Sequence, residues 1–537
     1  MTTQQSEAVP EEPSVELGKP DEFEQRPHRE IRLVMIGLVI TMLLAMLDNL
    51  IVGTAMPRIV GELNGAEHMS WVVTAYTLAT AASTPIWGKV GDLYGRKGSF
   101  LVSIVIFLLG SALSGMSQSM TQLIVFRAVQ GLGAGGLMVG VMSIMGALVA
   151  PRDRGKYQGM FAAVMALATV GGPLIGGFIT DHLNWRWTFY VNLPLGAIAL
   201  VFIVVVLKLP KVRSTAKIDY FGAALLTVGI VSMVLITTWG GHEYAWSSKQ
   251  ILGLGALGVA SLIGFCYVEQ RVAEPVIPLQ LFRNRNFTMV SIIGFIVGFA
   301  MFGAVTFLPT YQQIVQGASA TNSGLLLMPM MFGMLVISLV VGQAITKTGK
   351  YRIYPIIGTA VMAGGSLLLS TLAVDTSKFA SSCYMVVLGA GMGFLMQVTM
   401  LVAQNSVEMK DMGVASSSAT LFRTIGGSFG VALFGTLYIN QVNDTIKALP
   451  PETLAKMAQQ GGEGMSAMNP ATMQGLPADV LSAYQHGISN GMHTVFLWGA
   501  VISLVAVAAS LFIREVKLRG GADAAEAKAE AALEGAV

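Results

Sequence analysis

The sequence predicts an all-α membrane protein of fourteen transmembrane helices, and three observations carry that prediction. Apolar residues make up 53% of the chain, Asp, Glu, Lys and Arg only 12%, and the apolar residues gather into long runs. A soluble domain carries about twice that share of charge. A bilayer core of roughly 30 Å is crossed by about 20 apolar residues in a helix. The formal charge of +3 and the lack of a dense basic patch exclude a nucleic-acid partner.

The first seven runs fall at 33–57, 70–89, 99–117, 121–149, 157–180, 187–207 and 218–239. Seven more follow at 251–270, 287–310, 322–345, 353–372, 380–402, 412–437 and 493–513. The 61 glycines suit helices that meet in lipid, where association depends on close backbone approach. Residues 1–32 are polar and acidic, without the basic–apolar–small order of a signal peptide, and read as a disordered tail. Residues 516–537, rich in Ala and Glu, read as a second solvated tail. Cys266 and Cys383 each lie within an apolar run and read as small buried residues, with no disulfide or metal pair.

Basic residues orient the spans. With the N-terminus in the cytoplasm, the short inner loops hold ten Lys and Arg up to Lys217 and seven from Arg271 to Lys410. The outer side holds six: Arg58, Arg186, Lys249, Lys378, Lys447 and Lys456. Both termini are thus expected inside. The long outer segment 438–492 reads as a partly ordered cap, with Leu454 to Gln459 and Ala478 to His486 as short surface helices.

The chain repeats itself. GKVGDLYGRK from Gly88 and GQAITKTGKYR from Gly342 align Gly88 with Gly342, Gly95 with Gly349 and Arg96 with Lys350. Gly131, Gly133 and Gly135 match Gly389, Gly391 and Gly393. Two six-helix bundles, 33–207 and 287–515, are therefore expected, with two inserted helices at 208–286. Such repeats build a midplane site that opens to each side in turn.

These segments resemble the major facilitator superfamily, in its fourteen-span drug:proton antiporter branch. GKVGDLYGRK at 88–97 is similar to the family's inner-loop signature, and LDNLIVGTAMP at 47–57 to the branch's first-span signature. RAVQGLGAGG at 127–136, GGPLIGG at 171–177 and WRWTFYVNLPLG at 185–196 follow at the matching spans. One departure is Leu50, where the branch has Thr two places after its Asp. The resemblance implies a major facilitator fold and a proton-coupled antiporter. It would export small hydrophobic or amphipathic, often cationic, drugs across a bacterial cytoplasmic membrane, as a monomer and without a cofactor. The alternative is an exporter of one dedicated substrate, such as an antibiotic, siderophore or lipid.

Asp48 is the one acid well inside a span, and intramembrane acids commonly carry protons. Burial favours its neutral form and a nearby cation its charged form. Counted at 1.5 Å per residue, Asp48 and Arg127 both sit about 10–14 Å below the outer surface, which makes Arg127 the expected partner. A proton-sensitive pair and a permanent structural salt bridge both fit. Gln130, one turn on, is placed to join them.

Arg423, deep in the thirteenth span, has no acid at its own depth in the C-terminal half. It could reach Asp48, hold a substrate anion, or satisfy helix carbonyls. Gly88, Gly91, Asp92, Gly95, Arg96 and Lys97 read as a latch between halves, Asp92 accepting from a helix N-terminus near Gly413 and Arg96 pairing with Asp153. Gly171, Gly172, Pro173, Gly176 and Gly177 are expected to break the fifth span. Tyr311, Gln312 and Gln313 fall at the outer end of the ninth span, as interface anchor or substrate lining. No GxxxxGK[ST] motif is present, and the six histidines lie in tails, loops or span edges, so ATP hydrolysis and membrane metalloenzyme chemistry are not expected.

Overall fold

A computed structural model describes residues 28–63, 68–149, 154–209, 218–241, 243–318, 327–447, 478–516 and 518. Most of the two expected tails, the expected helix Leu454–Gln459 and Asp153 lie outside the described residues. In the first bundle α1 runs His28–Leu63, α2 Met69–Tyr94, α3 Arg96–Met116, α4 Met120–Leu148 and α5 Arg154–His182. A helical turn, Trp187–Tyr190, leads into α6, Asn192–Val206. The inserted pair is α7, Tyr220–Trp239, and α8, Lys249–Glu269. Then come α9, Arg285–Ile314, α10, Met328–Thr348, α11, Ile353–Ser370, α12, Lys378–Asn405, α13, Met412–Lys447, and α14, Ala478–Leu511.

Twelve of these segments are long and apolar enough to cross a membrane. The other two, α2 and α13, have the length, at 26 and 36 residues, but not the apolarity. They pack on each other, so their polar side chains face protein in place of lipid. Ser416, Ser417 and Ser418 of α13 are all fully buried. Length and apolarity therefore account for twelve of the fourteen expected crossings.

The packing obeys the repeat. Helices α2 and α3 pack on α4 as α10 and α11 pack on α12, and α1 packs on α5 as α9 does on α13. Between the halves, α5 lies on α10 and α13 on α2, the same pair of positions exchanged. The matched glycines explain why. A Cβ on Gly131 or Gly135 would strike backbone of α2, and one on Gly389 or Gly393 backbone of α10. Gly133 and Gly391 likewise touch α3 and α11. Gly95 and Gly349 both turn the chain at positive φ, 99° and 69°, where a side chain would strain the backbone. The inserted α7 leans on α2 and α13 and carries α8 outside it.

Three expectations are corrected here. Helix α5 passes Pro173 without a break, since one missing N–H does not end a helix braced by neighbours in a membrane bundle. Cys266 and Cys383 are exposed at the surface of the helix bundle, because uniformly apolar helices do not reveal which side meets lipid. Ala478 to His486 is no separate surface helix but the first part of α14.

Candidate functional site

Asp48 is fully buried, and three side chains converge on it. Arg127 Nη1 donates to Oδ2 at 2.6 Å, while Gln130 Nε2 and Asn192 Nδ2 both donate to Oδ1 at 2.7 Å. Gln130 Oε1 accepts from Arg127 Nη1 at 2.8 Å, closing the triangle. The Arg127 guanidinium lies 4.1 Å over the Tyr76 ring, whose π face favours a cation. Nε and Nη2 of Arg127 have no hydrogen-bond partner among the described residues. This cluster holds its charge pair away from water, where removing one partner is far more disruptive than at a surface.

The segment 185–192 explains how Asn192 arrives there. Trp185 Nε1 and Arg186 Nη1 both donate to Glu62 at the end of α1, at 2.8 and 2.5 Å, and Arg186 Nη2 reaches the Ser117 carbonyl. The helical turn that follows accepts from Ser111 Oγ at the Phe189 carbonyl. Asn192 opens α6, bonding both Ser111 Oγ and Asp48. Sequence reasoning quoted this segment but did not assign Asn192. Its signal was an amide at the start of an apolar run.

The halves are clasped at the end where α2 turns into α3 at Gly95, the expected loop 88–97 being helical on either side of that one residue. Asp92 accepts from the Gly413 and Val414 backbone N–H groups at 3.0 and 2.9 Å, at the N-terminus of α13. A helix N-terminus favours an anion there. Gly88 lets α2 approach closely, since a Cβ would lie 2.8 Å from the Gly413 carbonyl oxygen. Arg96 bonds Asp92 at 3.0 Å, and the expected Asp153 partner is outside the described residues. Gly91 sits beside Ser99 and Arg96. Lys97 Nζ caps the Val204 and Leu207 carbonyls at the end of α6.

Two further clasp members were not anticipated. Gln404 of α12 accepts from buried Arg154 at 3.0 Å and donates to the Met142 carbonyl and Ser416. Lys89 pairs at 2.7 Å with Glu274, in the segment between α8 and α9.

Over residues 38–431 the chain matches the family model for the Major Facilitator Superfamily. This chain belongs to the major facilitator superfamily. The superfamily comprises transporters and not enzymes. This member is 40% identical over 507 residues to the multidrug transporter protein MdtP of Bacillus subtilis (strain 168), covering 90% of this chain and 93% of that one. It is 35% identical over 496 residues to multidrug resistance protein 3 of the same organism, covering 92% and 97%. The MFS-type efflux pump MFS1 of Trichophyton rubrum is 31% identical over 442 residues, with 80% and 82% covered. The solved proton:xylose symporter XylE shares the fold, with a TM-score of 0.60 at 12% identity over 91% of this chain and 97% of that one.

In this superfamily member the remaining candidates lie apart from Asp48. Gly172 and Gly176 face α1, where a Cβ would meet Leu50 and Thr54, so Leu50 fills the space beside Gly172. Gly171 meets only Ile175 and Gly177 meets nothing, so two of the four glycines make the contact. Tyr311 is fully buried, its hydroxyl donating to the Ala373 carbonyl at 2.7 Å. It is therefore no interface anchor. Gln312 is buried near Met385, and Gln313 is half-buried. Arg423 is half-buried and lines a small cavity in the C-terminal half. Asp48 accepts from other donors, so Arg423 does not serve it.

Proposed function

We propose that this chain is a proton-coupled antiporter that exports small hydrophobic or amphipathic compounds across a bacterial cytoplasmic membrane, acting as a monomer with both termini inside. The observation that carries the proposal is Asp48, an acid sealed in a membrane bundle with Arg127, Gln130 and Asn192 as its donors. Intramembrane acids of this kind mark proton paths. That the Trichophyton relative is an efflux pump supports the direction of transport, and that the Bacillus relatives are a multidrug transporter and a multidrug resistance protein supports a varied cargo. The excess of basic residues in the alternate loops supports the orientation.

In this mechanism a proton arriving from outside neutralises Asp48. The carboxyl then no longer balances Arg127, whose charge is left with the Gln130 side-chain carbonyl and the Tyr76 ring. The contacts between α1 and α4 weaken, and the cavity returns to the inner side to load substrate. The clasp of Asp92 on α13, with Gln404 and Arg154, closes the inner end while the outer end is open. Loss of the proton inward restores the pair. The absence of a second mid-membrane carboxylate supports neutral, monocationic or zwitterionic cargo over dications.

Uptake of rhodamine 123 into everted membrane vesicles tests this reading. A pH gradient should drive uptake, and both a protonophore and Asp48→Asn should abolish it while the protein still inserts. Uptake that persists at full rate with the protonophore present would refute proton coupling.

A further inference from the structure

Three charged side chains lie well inside the described membrane helices, and only two of them balance. Asp48 and Arg127 are fully buried against each other. Arg423 stands eleven residues into α13, roughly 16 Å along its axis. Its guanidinium has no hydrogen bond, ion pair or ring contact among the described residues. The spans of the C-terminal half hold no acid except Asp444 and Asp479, near helix ends.

A guanidinium stays protonated in a protein, so the charge cannot be shed. Leaving it unmatched within a membrane bundle is costly, and such residues mark ligand or ion paths. The local backbone offers no relief. Gly298, Gly426 and Gly430 press α13 onto α9 so closely that a Cβ on any of them would strike backbone of the other helix. The carbonyls there are covered, and the side chain is turned into the cavity. Its other walls are Val290, Gly294 and Val297 of α9 with Met396, Thr399 and Met400 of α12. Thr399 spends its hydroxyl proton on the Leu395 carbonyl. Arg423 is thus the one free donor group in an otherwise apolar, thioether-lined chamber.

We infer that Arg423 is the receptor for a carboxylate, or a comparable anionic group, on the transported compound. The inference rests on the transport reading above and, within its cargo, singles out zwitterionic amphipaths, those that carry a carboxylate, as the better held. A guanidinium matches a carboxylate with two parallel hydrogen bonds. Met396 and Met400 are soft enough to fit varied apolar bodies beside it. The chamber measures about 10 Å³ in this structure, room for a single water. The anion therefore binds an arrangement in which α9, α12 and α13 have opened toward the midplane, and it favours that arrangement by binding it.

Rhodamine 110 and rhodamine 123 differ in one respect: the first has a free carboxylate and the second its methyl ester. In everted vesicles with a pH gradient, the acid should be taken up with an affinity about tenfold higher, the scale of one charge-assisted contact. Arg423→Gln should erase that preference, bringing the acid down to the affinity of the ester, and Arg423→Lys should keep part of it. Benzoate should compete with the acid in the unaltered protein and not in Arg423→Gln. Equal handling of the two dyes, or an Arg423→Gln that slows both alike, would overturn the inference while proton-coupled export stood. If the gradient moves neither dye, the transport reading falls. Thermal stabilisation of the purified protein by the acid over the ester then still decides whether Arg423 binds carboxylates. If Arg423→Gln does not insert, the acid-to-ester ratio and benzoate competition of the unaltered protein decide instead.

Discussion

Asn192 donates from Nδ2 to Oδ1 of Asp48 at 2.7 Å, across 144 residues of chain. That bond makes α6 a third wall of the acid's site, beside its own helix α1 and the Arg127 helix α4. It also ties the site to Ser111 of α3 through the same amide nitrogen. The carboxylate is therefore held by four of the six helices of the first bundle, and any change in its protonation is felt by all four.

Replacing Asn192 with Leu leaves Oδ1 with Gln130 alone and costs about 1–3 kcal/mol, the usual price of an unmade buried bond. Asn192→Asp should do worse, because it sets a second carboxylate against the first. Transport rates in vesicles and thermal unfolding in detergent should rank the unaltered protein above Asn192→Leu and Asn192→Asp last. Equal rates across the three would show that α6 takes no part in the site.

The pairing of Asp48 with Arg127 was legible because an acid in a long apolar run has few explanations, and helix rise places both at one depth. The clasp of Asp92 near Gly413 was legible for a similar reason: a loop acid seeks a helix N-terminus. Asn192, Gln404 and Glu274 were not, because each acts across helices whose rotation about their axes depends on packing. Apolar helices carry little periodic contrast, so Cys266 and Cys383 gave no sign of facing outward. The polarity of α13 was visible as a Ser-rich run. That the run is buried against α2 follows only from the crossing of the two halves.

Asp92→Asn should loosen the clasp. An amide can accept from one of the Gly413 and Val414 N–H groups, but its own NH₂ then faces the other donor. A buried unmet donor costs about 1–3 kcal/mol, so the balance between open and closed inner ends should shift about tenfold. Spin labels on α2 and α13, in a background with Cys266 and Cys383 replaced, would report it as a longer distance population. An unchanged distribution would mean that Asp92 shapes the end of α2 without holding the halves together.

The matched glycines give a paired test of the repeat. Gly391→Ala puts a methyl against the Met362 backbone of α11, whereas a Cβ on Gly364 of α11 meets nothing within 4 Å. Overpacking a tight helix contact costs about 1–3 kcal/mol, so Gly391→Ala should lower the melting temperature and Gly364→Ala should not. Gly133→Ala, at the equivalent contact of α4 with α3, should behave like Gly391→Ala. Dissimilar responses of Gly133 and Gly391 would break the equivalence that the packing implies.

At the outer rim, Glu62 accepts from Arg186 at 2.5 Å and from Trp185 at 2.8 Å. The Arg186 hydrogen bond holds its carboxyl below the ordinary value of 4.5. With the folded value the lower of the two, this contact contributes stability above about pH 4.5. The contribution fades as pH falls through the folded value. Its size is small, because Glu62 is exposed and Arg186 only partly buried, so that solvent screens the pair. Thermal unfolding from pH 7 to pH 3.5 should therefore show the unaltered protein slightly above Glu62→Gln at neutral pH and level with it at the acid end. Curves that stay parallel across the whole range would mean that Glu62 positions Trp185 and Arg186 by shape alone, with its charge contributing nothing to the fold.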